Sequence, residues 1–132
     1  MQRIRVILAD GHAVARMGIR YFLEEEGDID VLAEAGDGET AKRMIAQHRP
    51  DVVVLDIRMP RASGIEVTRW VRQQNLPVGV LILSACDDDP LIVAALQAGA
   101  NGYLLKNAEA EQLTAAVRAI YHGESAFDPT IA

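Results

Sequence analysis

Short, nearly uninterrupted aliphatic runs alternate along this chain with segments in which apolar residues recur every three or four positions. The runs are Arg5-Val6-Ile7-Leu8-Ala9, Val31-Leu32-Ala33-Glu34-Ala35, Val52-Val53-Val54-Leu55, Val78-Gly79-Val80-Leu81-Ile82-Leu83 and Gly102-Tyr103-Leu104-Leu105. Runs this short and this apolar suit strands covered on both faces of a sheet. After the first run, Val14, Met17, Tyr21 and Phe22 fall at helical spacing toward Gly27. After the second, Gly36-Asp37-Gly38 turns into a helix over residues 39–48. Pro60 and Gly64 bracket a loop, and Ile65, Val67, Trp70 and Val71 then carry a helix to about residue 74. Asp87-Asp88-Asp89 and Pro90 suit the first turn of a helix that runs to Ala98 and stops at Gly99. Leu113, Ala116, Val117 and Ile120 stripe a last helix over residues 108–121. Five strand–helix pairs predict an α/β fold, a parallel sheet sandwiched between helices.

Reactive groups close four of the five strand-like runs. Asp10 follows the first, Asp56 the third, Ser84 the fourth and Lys106 the fifth. In an open parallel sheet the carboxyl ends of the strands face the crevice where ligands bind, so these four groups converge on one site. Each has an ordinary alternative. A strand-end Asp or Ser is often a helix N-cap, a Lys after a strand is often a solvated charge, and Tyr103 in an apolar strand reads as a packed aromatic. His12 stands near the acids, but a single His without partners is weak evidence for a metal. The convergence carries the argument, because four independent coincidences at one sheet edge are improbable. An aspartate can accept a phosphoryl group when a cation offsets the charge of both partners. Asp10, Asp56 and the backbone carbonyl of Arg58 offer oxygens of the kind Mg²⁺ takes.

Composition narrows the field. The chain has 132 residues, 50% of them hydrophobic and 24% charged, which suits one globular domain. A formal charge of −6 argues against this segment gripping DNA by itself. The single Cys86 allows no internal disulfide and fits a reducing, cytoplasmic setting. No apolar stretch approaches the ~20 residues of a membrane span, and no secretory leader is visible.

The combination of Asp10, Val54-Leu55-Asp56-Ile57-Arg58-Met59-Pro60 with Gly64, Leu83-Ser84-Ala85, and Ala98-Gly99-Ala100-Asn101-Gly102-Tyr103-Leu104-Leu105-Lys106 resembles the receiver domain of two-component response regulators. Asp10-Gly11-His12, Arg16-x-Gly18 and the Ala98 to Lys106 stretch are most similar to its NarL/FixJ-type subfamily. The resemblance implies a flavodoxin-like (βα)5 doubly wound sheet with strand order 2-1-3-4-5. Residues 1–123 would form the receiver and 124–132 the start of a linker toward a C-terminal helix-turn-helix domain absent from this chain. It further implies that Asp56 is the phosphoacceptor, Ser84 and Tyr103 a switch pair, and Lys106 the phosphate-sensing lysine, with Mg²⁺ as cofactor. The implied partners are a sensor histidine kinase, a second copy in a homodimer, and DNA only through the missing domain. The expected role is regulation of transcription in a phosphorelay, without enzymatic turnover.

Two departures stand out. The family usually carries two adjacent acids after the first strand, the second a direct metal ligand, and here that position is Gly11. Fewer carboxylates weaken the hold on a hard cation, which opens the alternative of an interaction or dimerisation module that works without phosphorylation. Asn107 replaces a common proline, so a trans bond is expected after Lys106. Enzyme readings fit less well. A haloacid-dehalogenase-like phosphatase needs an acid two residues after its nucleophile, where this chain has Arg58, and a flavodoxin needs a hydroxyl- and glycine-rich phosphate loop where this chain has Asp10.

Overall fold

A computed structural model describes residues 3–85 and 88–129 of the chain. Cys86 and Asp87 lie outside the described residues. Strands β1 (Ile4–Ala9), β2 (Ile29–Ala35), β3 (Val52–Leu55), β4 (Gly79–Ser84) and β5 (Gly102–Leu105) alternate with helices α1 (Ala13–Glu24), α2 (Gly38–His48), α3 (Gly64–Gln73), α4 (Asp89–Ala98) and α5 (Ala110–Tyr121). All ladders are parallel, and the order is β2-β1-β3-β4-β5 with a short β6 (Ala126–Phe127) beyond β5.

The aliphatic runs explain the layering. Successive strand side chains point to opposite faces, so an unbroken apolar run supplies two cores at once. Ile7, Val53, Leu55, Val80, Ile82 and Tyr103 face one cluster, shared with Ala41 and Ile45 of α2, Val67 and Val71 of α3, and Ile92 and Ala95 of α4. The intervening Val6, Leu8, Val52, Val54, Leu81, Leu83 and Leu104 face the other, shared with Leu23 of α1 and Leu113, Val117 and Ile120 of α5. β3 sits between these layers with all four residues buried.

Helical spacing placed α1 correctly but not its buried face. Val14, Met17, Tyr21 and Phe22 are 82%, 69%, 65% and 44% exposed, while Leu23 is buried and Ile19 partly so. The helix meets the sheet only along that narrower stripe, and an apolar period alone does not distinguish the two faces. The segment expected to leave the domain after residue 123 instead returns to it. Ala126 N–H donates to the Asn101 carbonyl, Asp128 N–H donates to the Tyr103 carbonyl, and Asp128 is buried. A two-residue strand has too little apolar sequence to announce itself; the β5 edge recruits it through backbone hydrogen bonds. No cis peptide bond occurs among the described residues, so the Lys106–Asn107 bond is trans.

Two glycines set the loops beneath the sheet's carboxyl edge. A Cβ at Gly64 would overlap the carbonyl oxygen of Asp56, and one at Gly38 would overlap the Ala62 carbonyl. Gly64 N–H donates to Ile57 O and Gly38 N–H to Pro60 O, which folds the loop after β3 against the start of α2. We expect Gly64→Ala to lower the urea-unfolding stability by about 2 kcal/mol through overpacking. Gly18→Ala, on an open α1 face with nothing near its Cβ, should instead raise it by roughly 0.5–1 kcal/mol. Equal effects of the two substitutions would contradict this account of the loop.

Candidate functional site

The helix starts dispose of the ordinary explanations for the strand-end groups. The N-caps of α1, α3 and α4 are His12, Ser63 and Asp88. Neither Asp10, Asp56 nor Ser84 caps a helix. Ser63 does so in a reciprocal box with Glu66, which leaves Asp56 for another task.

Parallel register brings the groups together. β1 and β3 align Ala9 with Leu55, so the residues that follow, Asp10 and Asp56, emerge side by side. β4 and β5 align Ser84 with Leu105, and Lys106 N–H donates to the Ser84 carbonyl. The Lys106 ammonium reaches across the edge and donates to Asp10 Oδ2 at 2.7 Å and to Asp56 Oδ2 at 3.1 Å. Both carboxylates are buried, with 2% of the Asp10 and 8% of the Asp56 side chain exposed, so Asp56 is the more accessible of the two. Ser84 is buried at the end of β4, and Arg58 is exposed in the loop after β3. Tyr103 is fully buried in the cluster that contains Ile92 and Ala95 of α4. Tyr103, expected as the partner of Ser84 in a switch pair, thus has its ring inside the core.

Several neighbours escaped the sequence reading. Arg16 Nη1 donates to the Asp10 carbonyl at 2.6 Å and its Nε to Glu34 at 3.2 Å, fixing the end of β1 against β2. Arg16 was legible only as part of the Arg16-x-Gly18 pattern, which says nothing about what it touches. His12, set aside as a lone histidine, has a partner. Its backbone N–H donates to Asp10 Oδ1 at 2.8 Å and its Nδ1 lies 3.3 Å from the same oxygen.

The electrostatics follow from this crowding. Burial pushes the Asp10 carboxyl up, but the Lys106 ammonium and the His12 backbone N–H outweigh it and hold the carboxyl below its ordinary range. Burial lowers Lys106, while its hydrogen bonds to Asp10 and Asp56 raise it above the ordinary lysine value. Two buried negative charges thus share one ammonium. Closely spaced hard oxygens with a surplus of negative charge suit a small divalent cation, so the donor set fits Mg²⁺, although with one carboxylate fewer than an Asp at position 11 would provide.

A doubly wound α/β domain with paired aspartates and a lysine at the carboxyl edge of its central strands is the arrangement that the resemblance to receiver domains leads one to expect. The match to known proteins is specific. The chain belongs to the response regulator receiver domain family, whose model matches residues 6–118. It is 40% identical over 95% of its length to the oxygen regulatory protein NreC of Staphylococcus epidermidis. It is 36% identical over 98% of its length to the transcriptional regulatory protein DegU of Brevibacillus brevis. The chain spans 58% and 55% of those two relatives. Among solved structures it resembles the signal receiver domain of the putative response regulator NarL from Mycobacterium tuberculosis, with a TM-score of 0.92 and 38% identity. That match covers 94% of this chain and 100% of the other. The chain is accordingly a receiver domain of the NarL/DegU type. No helix among the described residues is long and apolar enough to cross a membrane.

The sign of the pH dependence follows from the two shifts. Asp10 is depressed, so its contribution to stability is present above its unfolded value and is lost as pH falls through the lower folded value. Lys106 is raised, so its contribution is present below its unfolded value and is lost as pH rises through the higher folded value. Lys106→Met should therefore cost about 2 kcal/mol, discounted from the fully buried case because the lysine is partly exposed. In metal-free urea titrations that deficit should stay level between about pH 5 and 9 and shrink below about pH 4. A deficit independent of pH down to about pH 2 would mean that the ammonium's contribution is packing rather than charge.

Proposed function

We infer that Asp56 accepts a phosphoryl group from a phosphohistidine on a sensor histidine kinase, and that the modified domain regulates transcription. The observation that carries this is the Lys106 ammonium bound to both Asp10 and Asp56 at the sheet's carboxyl edge. In the transfer, Asp56 Oδ forms a bond to phosphorus as the phosphorus–nitrogen bond breaks, and the departing imidazole nitrogen keeps the electron pair. Asp10, Asp56 and the Arg58 carbonyl would hold Mg²⁺, which supplies electrostatic compensation for the phosphoryl charge. Lys106 exchanges its bond to Asp56 for one to a phosphoryl oxygen, and the Ser84 hydroxyl donates to another. Asp56 is consumed as an acceptor, so the domain is a switch rather than a turnover catalyst.

A phosphoryl group brings about −1.5 to −2 charge and strong acceptor oxygens. Drawing Ser84 toward them changes the packing beside Tyr103 and biases an existing equilibrium on the α4–β5–α5 side. The readout in this proposal is homodimerisation or release of a DNA-binding domain. The greater length of NreC and DegU, and the latter's being a transcriptional regulatory protein, support such an output. Cytoplasmic placement belongs to the same reading.

A second reading has an observation of its own. Gly11 removes one acid and Lys106 already pairs with both that remain, which favours a receiver-shaped interaction module that needs no phosphate. Incubation with acetyl phosphate and Mg²⁺, followed by intact-mass measurement, separates the two. We expect the gain of one phosphoryl mass in the wild type and none in Asp56→Asn. Absence of any gain in the wild type, with this donor and with phosphorylated kinase, would give the second reading the field. Labelling that persists in Asp56→Asn would move the acceptor elsewhere.

A further inference from the structure

Among the described residues, one group of three side chains has metal-ligating chemistry and spacing: Asp10, His12 and Asp56, whose ligand atoms all lie within 4.8 Å of one another. Ligands about 2.1 Å from a shared ion stand ~3.0–3.4 Å apart at right or tetrahedral angles and at most ~4.2 Å apart, so the group must close by about half an ångström or more. The movable member is His12. Its side chain is 78% exposed, and it stands at the N-cap of α1 without a side-chain capping bond. Helix capping therefore does not hold the ring, and Nδ1 already faces Asp10 Oδ1 at 3.3 Å. The carboxylates are held more firmly, Asp10 through Lys106 and the His12 backbone N–H, Asp56 through Lys106.

Gly11 gives this arrangement its consequence. A Cβ at that position would meet Pro60 Cδ at 3.4 Å and Gly36 O at 3.7 Å, both ordinary contacts. An acidic side chain could begin there without a clash, yet the sequence offers none. The oxygen-rich cage that favours Mg²⁺ is thus one carboxylate short, and the nearest replacement donor is an imidazole nitrogen. Mg²⁺ selects oxygen ligands and sheds water reluctantly, whereas Mn²⁺, Co²⁺ and Ni²⁺ accept imidazole increasingly well.

We propose that His12 is a ligand of the divalent cation in this domain, and that the site consequently selects a first-row transition ion over Mg²⁺. This rests on the reading of Asp10 and Asp56 as a cation site, and it assigns to that site a different ion and a third side chain. His12→Ala tests it well, because the backbone N–H that orients Asp10 survives the substitution and the ring is exposed.

Calorimetric titrations of the complete chain with Co²⁺ and with Mg²⁺ would be compared for the wild type, His12→Ala, Gly11→Asp and Asp56→Asn, with urea midpoints confirming that each is folded. Co²⁺ affinity should fall by about tenfold or more in His12→Ala, while Mg²⁺ affinity changes little. Gly11→Asp should tighten Mg²⁺ and narrow the preference. In pulsed electron paramagnetic resonance, bound Mn²⁺ should show an imidazole ¹⁴N coupling in the wild type that is lost in His12→Ala. His48 and His122 remain in that variant, so the loss isolates His12. Unchanged Co²⁺ affinity and nitrogen coupling in His12→Ala would overturn the proposal. It would leave the cation-site reading intact provided that Asp56→Asn still weakens binding. No divalent binding sensitive to Asp56→Asn would overturn both.

Discussion

Two carboxylates sharing one ammonium at a sheet edge is the interaction on which the rest of this structure depends. Burying a charge is costly unless it is paired and hydrogen-bonded. Asp10 and Asp56 are both buried, and among the described residues Lys106 bridges them. The pairing joins β1, β3 and the end of β5 across most of the sheet's width, so the ladders that hold those strands in register also set the site's geometry. It leaves one negative charge in excess, which favours a cation, and the proposed phosphoryl group would act on these same few atoms.

The surrounding framework keeps those atoms in place without competing for them. Ser63 caps α3 and His12 stands at the N-cap of α1, so Asp56 and Asp10 are not drawn into capping. Arg16 holds the Asp10 carbonyl, and Gly64 lets α3 approach the Asp56 carbonyl more closely than any other residue would permit. Tyr103 lies within the core between β5 and α4 rather than at the surface. A change at Ser84 therefore meets tightly packed side chains, and such interiors transmit displacement instead of absorbing it.

Much of this was legible in the sequence because the aliphatic runs are short and unbroken. Val52-Val53-Val54-Leu55 has no polar face, which leaves a central parallel strand as the natural reading. The strand-end residues followed from that. What remained hidden depends on tertiary context. Nothing in residues 13–24 says that Val14, Met17, Tyr21 and Phe22 face outward, because period fixes the helix and not the partner. The return of Ala126 and Phe127 to the sheet rests on backbone bonds that carry no side-chain signature. His12 looked isolated in sequence because its relation to Asp56 exists only once β1 and β3 are side by side.

In the proposed function Asp56 is a cation-dependent acceptor for a tetrahedral anion, supported by Lys106. Fluorine-19 magnetic resonance of the chain with beryllofluoride tests it most directly, since that trifluoride adopts the shape of a phosphoryl group on a carboxylate. Bound fluorine resonances should appear only when a divalent cation is present and should vanish in Asp56→Asn. Bound resonances that survive without a cation or in that variant, or their absence with Mg²⁺, Mn²⁺ and Co²⁺ alike, would contradict it.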